Sequence, residues 1–224
     1  MLWYLLKTWV GREDEVVREI KQSVPTQWYD ECFVMYQERI FRKQQKSMVQ
    51  LKPVFPGCAF LTCPETAPVW HRLERIPSVS RLTTSGCLTI LPMMAEDARF
   101  LERISGREHI IKLSYILKDD KGNIRRLSEP LNTFQGQVDR IQYKKRYAMV
   151  HHRLWGEERV FVLGIALKED LNVNMDDKML PGKPDKGFRG SQGLEEVFKV
   201  WETDTEEDRK KRELGRKIPA GEMA

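Results

Sequence analysis

No run of about 18 apolar residues occurs anywhere in the 224-residue chain, so no helical membrane span is expected. Cysteine is scarce: Cys32, Cys58, Cys63 and Cys87 lack the paired spacing of a zinc site and read as buried free thiols. No signal peptide is expected, because the apolar start reaches Lys7 and Gly11 almost at once, and the cytoplasm is the expected compartment. Missing too are a phosphate-cradling glycine loop, a nucleophile elbow and a metal motif. His151 and His152 are adjacent on an expected strand and so point to opposite faces, which keeps them from sharing a metal. Neither an enzyme nor a bound cofactor is expected.

What the chain does have is a modest positive balance, +5 with a pI of about 9.0, which permits an anionic partner such as nucleic acid. A central feature is Leu51 to Cys63, an apolar run broken once by Pro56-Gly57. A Pro-Gly pair cannot sit in a regular central strand, so a bend feeding a buried strand is expected there.

Taken in order, Leu2 to Val10 suits a central strand through Trp3, Tyr4, Leu5, Leu6 and Trp9. Val16, Val17, Ile20 and Val24 then line one face of a helix from Arg12 to Ser23, with Glu13 and Asp14 on its solvent side. Glu31 to Phe41 reads as a strand, Arg42 to Lys46 as a basic turn, and a second strand of the hairpin begins near Met48. Thr66 is placed to cap a short helix reaching Ile76, with His71, Arg72 and Arg75 turned outward, and Pro77-Ser78 closing it. Val79 to Thr84 and Cys87 to Leu91 read as edge strands or loops, and Ala95 to Ile104 as an amphipathic helix.

After Ser105 helix signals vanish. Strand runs follow at Ile110 to Leu117, Ile124 to Leu127, Gly136 to Gln142, Tyr147 to Leu154 and Arg159 to Ile165, which a small β-barrel accommodates. The fold class is therefore α+β in two units, 2–104 and 110–168, joined by a linker at 105–109. The charged tail 169–224 is expected to be flexible, with a possible helix at 193–214.

Trp3-Tyr4, Val54-Phe55-Pro56-Gly57, Ile76-Pro77-Ser78-Val79, Glu129-Pro130-Leu131 to Gly136, and Trp155-Gly156, read in that order, resemble the NusG family of transcription elongation factors. The resemblance runs from about Leu2 to Leu167. It implies an N-terminal NGN-type α/β sandwich followed by a KOW-type, SH3-like barrel. Within the family the chain is similar to the LoaP branch of processive antiterminators, through the polar hairpin tip, Leu113-Ser114 and the segment Gln142 to Ala148.

The resemblance implies that Phe55, Pro56, Gly57 and Cys58 meet the clamp helices of RNA polymerase, with Cys58 where the family usually has an aromatic residue. It implies nucleic-acid contacts for Trp70, His71, Arg72 and Arg75, toward non-template DNA. For Arg42, Lys43, Lys46, Lys144, Lys145 and Arg146 it implies contacts toward a leader RNA hairpin. Trp155 stands where a barrel contact to Rho or a ribosomal protein is expected, and a monomer is expected. Two functions stay open: an operon-specific antiterminator, or a general factor coupling polymerase to Rho or the ribosome. A barrel that refolds into helices is disfavoured by the strand-prone run Val160, Phe161, Val162 and Ile165.

Overall fold

The computed structural model describes residues 1–43, 46–65 and 69–170, and of residues 42, 43, 46, 47 and 70 the backbone alone. The expectations for Thr66 and for the tail helix at 193–214 lie outside the described residues. β1 (Leu2–Thr8) alternates, Tyr4 and Leu6 to one face, Trp3 and Leu5 to the other, all buried. It stops short of the expected end, leaving Trp9 and Val10 exposed. α1 (Glu13–Ser23) buries Val16, Val17 and Ile20 as their spacing predicts, but Glu13, expected in solvent, is buried as well.

The single strand expected from Glu31 is two, β2 (Glu31–Phe33) and β3 (Tyr36–Lys43), because the chain passes between sheets at buried Val34 and Met35. β4 (Lys46–Pro53) pairs back on β3 from Lys43↔Lys46 to Tyr36↔Pro53. β5 (Cys58–Cys63) is buried throughout, and the Pro56-Gly57 bend precedes it as expected. α2 (Trp70–Leu73) is a single turn. α3 (Pro77–Thr84) corrects the expected edge strand: Pro77 opens a helix at the position where a missing N–H costs nothing. β6 (Leu88–Pro92) and α4 (Ala95–Ser105) follow.

The expected strand Ile110 to Leu117 is also split. β7 (Ile110–Ile111) pairs parallel with β3, while β8 (Ser114–Lys118) begins the C-terminal sheet. The remaining strands are β9 (Ile124–Leu127), β10 (Val138–Gln142), β11 (Tyr147–Leu154) and β12 (Glu157–Leu167). Residues expected to link the units are packed: Ser105 ends α4, and the His109 ring stacks on Phe33 at 3.4 Å while bonding Glu31 at 2.6 Å.

Among the described residues three sheets result, ordered β2-β5-β1-β6, β4-β3-β7 and β10-β11-β12-β8-β9. The first sheet separates two cores. Tyr4, Leu6, Ala59 and Leu61 pack under α1, α2 and α3, with Val69, Leu73 and Val79. On its other face Trp3, Leu5 and Phe60 join α4 through Phe100, Leu101 and Ile104. That second core runs on without interruption into the C-terminal sheet, through Ile116, Phe134, Val150, Phe161 and Ile165. The mixed α/β build with several sheets agrees with the expected class. Among the described residues no helix is long and apolar enough to cross a membrane.

Candidate functional site

Phe55 to Cys58 form a tight turn between β4 and β5. Gly57 has φ 79°, which residues with a side chain rarely adopt, and a Cβ there would sit 2.9 Å from the Thr8 carbonyl oxygen. Its N–H donates to the buried Glu13 carboxylate at 2.6 Å, and its carbonyl accepts from the Thr8 N–H at 2.8 Å. The helix start and the end of β1 thus hold the turn from both sides. Cys58 is buried at its foot, and burial raises its thiol pKa. Pro56 is exposed and Phe55 half-buried.

Phe55 is covered by the C-terminal sheet. Its ring lies 5.1 Å from Trp155, 5.7 Å from Phe161 and 5.9 Å from Phe60. Trp155, expected to meet a separate partner, sits in the β11–β12 turn at φ 56°. Its backbone N–H donates to Asp97 Oδ2 in the first turn of α4 at 3.1 Å, and the Arg159 guanidinium lies over its ring at 4.6 Å. Its indole N–H finds no acceptor among the described residues. Beside it His152 stacks on Phe100 of α4 at 3.9 Å, and burial followed by Arg103 holds its pKa below the ordinary histidine range.

The far side of the contact is closer still. A Cβ on Gly164 of β12 would meet the Glu38 carbonyl oxygen of β3 at 2.1 Å, so only glycine lets the two strands cross there. Glu38 is itself buried, which raises its pKa against the bond from the Leu113 N–H at 2.9 Å and the Lys112 ammonium at 3.5 Å. Ile40 and Val49 of the hairpin pack on Leu113 and Ala166. No residue type or spacing singles out Glu13, Glu38, Asp97 or Gly164 in the sequence. Their roles come from contacts between distant segments.

The basic candidates divide. Arg42, Lys43 and Lys46 lie within the ends of β3 and β4 rather than in a longer turn. His71, Arg72 and Arg75 are exposed at α2, with Arg72 over the Trp28 ring at 5.6 Å, and Trp70 opens that helix. Lys144 and Lys145 are exposed on a 3-10 turn. Arg146 corrects the expectation made for it. It is buried in a left-handed conformation, pairs with Asp170 at 2.5 Å and with Glu169, and donates to the Tyr143 carbonyl, so it braces the sheet and offers nothing to a phosphate. Among the described residues no group of three or more His, Cys, Asp or Glu is placed to hold a metal ion.

Residues 1–101 match the family model described as "Transcription termination factor nusG". The chain is 25% identical over 164 residues to the transcription termination/antitermination protein NusG of Halalkalibacterium halodurans, covering 70% of this chain and 90% of that one. It is 24% identical over 163 residues to the protein of the same name from Bacillus subtilis, with the same coverage.

Proposed function

We infer, from the chain being a NusG-family transcription termination/antitermination factor, that it docks on RNA polymerase through the apolar face around Phe55, after the C-terminal sheet has left that face. Proteins of this family are transcription factors and not enzymes, and they bind RNA polymerase. The observation that carries the reading is the cover over Phe55. A face rich in Trp3, Phe55, Phe60 and Phe100 suits the apolar side of a helical partner, and here the C-terminal sheet occupies it. The orphaned Trp155 indole N–H supports a cover that can lift, since a buried donor without an acceptor costs about 1–3 kcal/mol.

Within that reading the C-terminal sheet is the KOW-type unit at 110–168, which needs no refolding to cover or uncover the face. A covered face favours the operon-specific antiterminator over the general factor. A protein that must be opened before it docks responds to a signal at chosen transcripts. Leader RNA is the proposed signal, met by the cations of the β3–β4 hairpin, Arg42, Lys43 and Lys46, and by Lys144 and Lys145. His71, Arg72 and Arg75, with Trp70, are the proposed contacts to non-template DNA. Rho or a ribosomal protein would reach Trp155 only in the opened form.

The test is binding of the full chain to core RNA polymerase by interferometry. Phe55→Ser is expected to weaken it about thirtyfold, the worth of one ring at the centre of an interface. Unchanged affinity would remove Phe55 from the docking face. Transcript profiling after deletion separates the two functions: changes in one or a few long operons favour the specific factor, and broad changes the general one.

A further inference from the structure

The five-stranded sheet ends in two strands that are each paired on one side only. β9 and β10 are its edges, and among the described residues no ladder joins them. Both nevertheless line one groove of about 700 Å³, Ile124 and Leu127 from one strand, Val138 and Ile141 from the other. The sheet is therefore curled until its edges face each other, without closing. Leu127, Val138 and Ile141 are half-buried against the main core and form an apolar floor, while Ile124 is 43% exposed. The lining carries Arg125 and Arg126 and no carboxylate.

We propose that this seam takes an extended, acidic segment of a partner protein, which pairs as an added strand on the open edge. An edge strand offers a row of unpaired N–H and C=O groups, and only another backbone in extended form satisfies them in series. Alternation in such a segment sets apolar side chains on the Leu127–Val138–Ile141 floor and carboxylates toward the arginines. An RNA strand would use the arginines but leave the backbone edges unpaired and the apolar floor wet. None of the lining residues belongs to the Phe55 face, so the seam can be filled whether or not that face is covered.

The experiment uses the isotope-labelled full chain and four probes: a capped peptide of alternating valine and glutamate, its lysine counterpart, the acidic peptide N-methylated at alternate residues, and an oligouridylate. The acidic peptide is expected to shift the backbone amides of residues 124–127 and 138–142 and slow their hydrogen exchange. N-methylation, which removes strand pairing but keeps the charge, is expected to weaken it about tenfold. Arg125→Glu, at an exposed position, is expected to weaken it by about as much. The proposal is overturned by an acidic peptide that does not bind, by a lysine or N-methylated peptide that binds as well, or by an oligouridylate that takes the seam in its place. Polymerase binding by Arg125→Glu is expected to stay unchanged, which keeps this test apart from the Phe55 reading.

Discussion

The rings of Phe55 and Trp155 lie 5.1 Å apart, tilted by 55°, so the residue proposed for polymerase and the residue proposed for a second partner cover each other. Neither can serve its partner while the other is in place, and single substitutions at the two positions should act in opposite directions. Trp155→Ala uncovers Phe55 and is expected to tighten polymerase binding, whereas Phe55→Ser loosens the same packing yet weakens binding. Interferometry on both variants, with hydrogen exchange reporting the opening of β11 and β12, checks this. Weaker binding by Trp155→Ala would place the indole in the polymerase contact itself.

Gly164→Ala tests the crossing of β12 over β3. The added methyl group meets main-chain oxygen at Glu38 and the Leu113 side chain at 2.7 Å, and backbone cannot yield as a flexible side chain would. A loss of about 1–3 kcal/mol is expected in urea denaturation, the usual cost of overpacking. A variant as stable as the parent would show that the strands separate at little cost.

Arg146→Ala and the pair Lys144→Ala and Lys145→Ala should part company. Removing Arg146 takes the cation from the buried Asp170 carboxylate, which keeps the Leu167 N–H at 2.9 Å, for an expected loss of about 3–5 kcal/mol. The two lysines are exposed, so stability should hold while the slope of RNA binding against salt falls by about one for each phosphate that is no longer neutralised. A full salt slope in the double lysine variant would exclude that turn from RNA binding.

The packing of the C-terminal sheet should also respond to acid. His152 is held below the ordinary histidine range by burial and by Arg103, with Asp97 opposing, so the packed state prefers the neutral ring. As pH falls below about 6.5, the open state takes the proton first and the packed state loses stability, and the loss levels off once pH drops below the packed-state pKa. Above that range the group adds no pH dependence. Glu38, raised by burial, works the other way, favouring the packed state as pH falls through its raised pKa toward the ordinary carboxylate range. His152→Phe keeps an aromatic ring on Phe100 and removes the first effect, so hydrogen exchange in β11 should lose its acceleration between neutral and mildly acidic pH. Persistent acceleration would assign it to another group.

Local pattern carried much of the fold. The period of Val16, Val17 and Ile20, the alternation of Trp3 to Leu6 and the Pro-Gly bend before β5 each state their element within a few residues. Other segments carry an ambiguous local signal, and there the expected element and the observed one differ. Val79 to Thr84 is rich in β-branched residues and short, yet packing of Val79 under the first sheet and the fixed φ of Pro77 make it a helix. Ile110 to Leu117 looks continuous, but Ile110 and Ile111 pair with β3 and the chain then leaves for another sheet.

Of the candidate site, the Pro-Gly turn and the exposed cations at α2 were legible because turn chemistry and charge are properties of neighbouring residues. Neighbouring residues alone therefore carried the elements, the turn that presents Phe55 and the resemblance to the NusG family. It took the packing of distant segments to set Phe55 under Trp155, to commit Arg146 to Asp170, and to leave β9 and β10 without a ladder between them among the described residues. Each depends on segments far apart in the chain being complementary in shape and charge, a relation that no local spacing encodes.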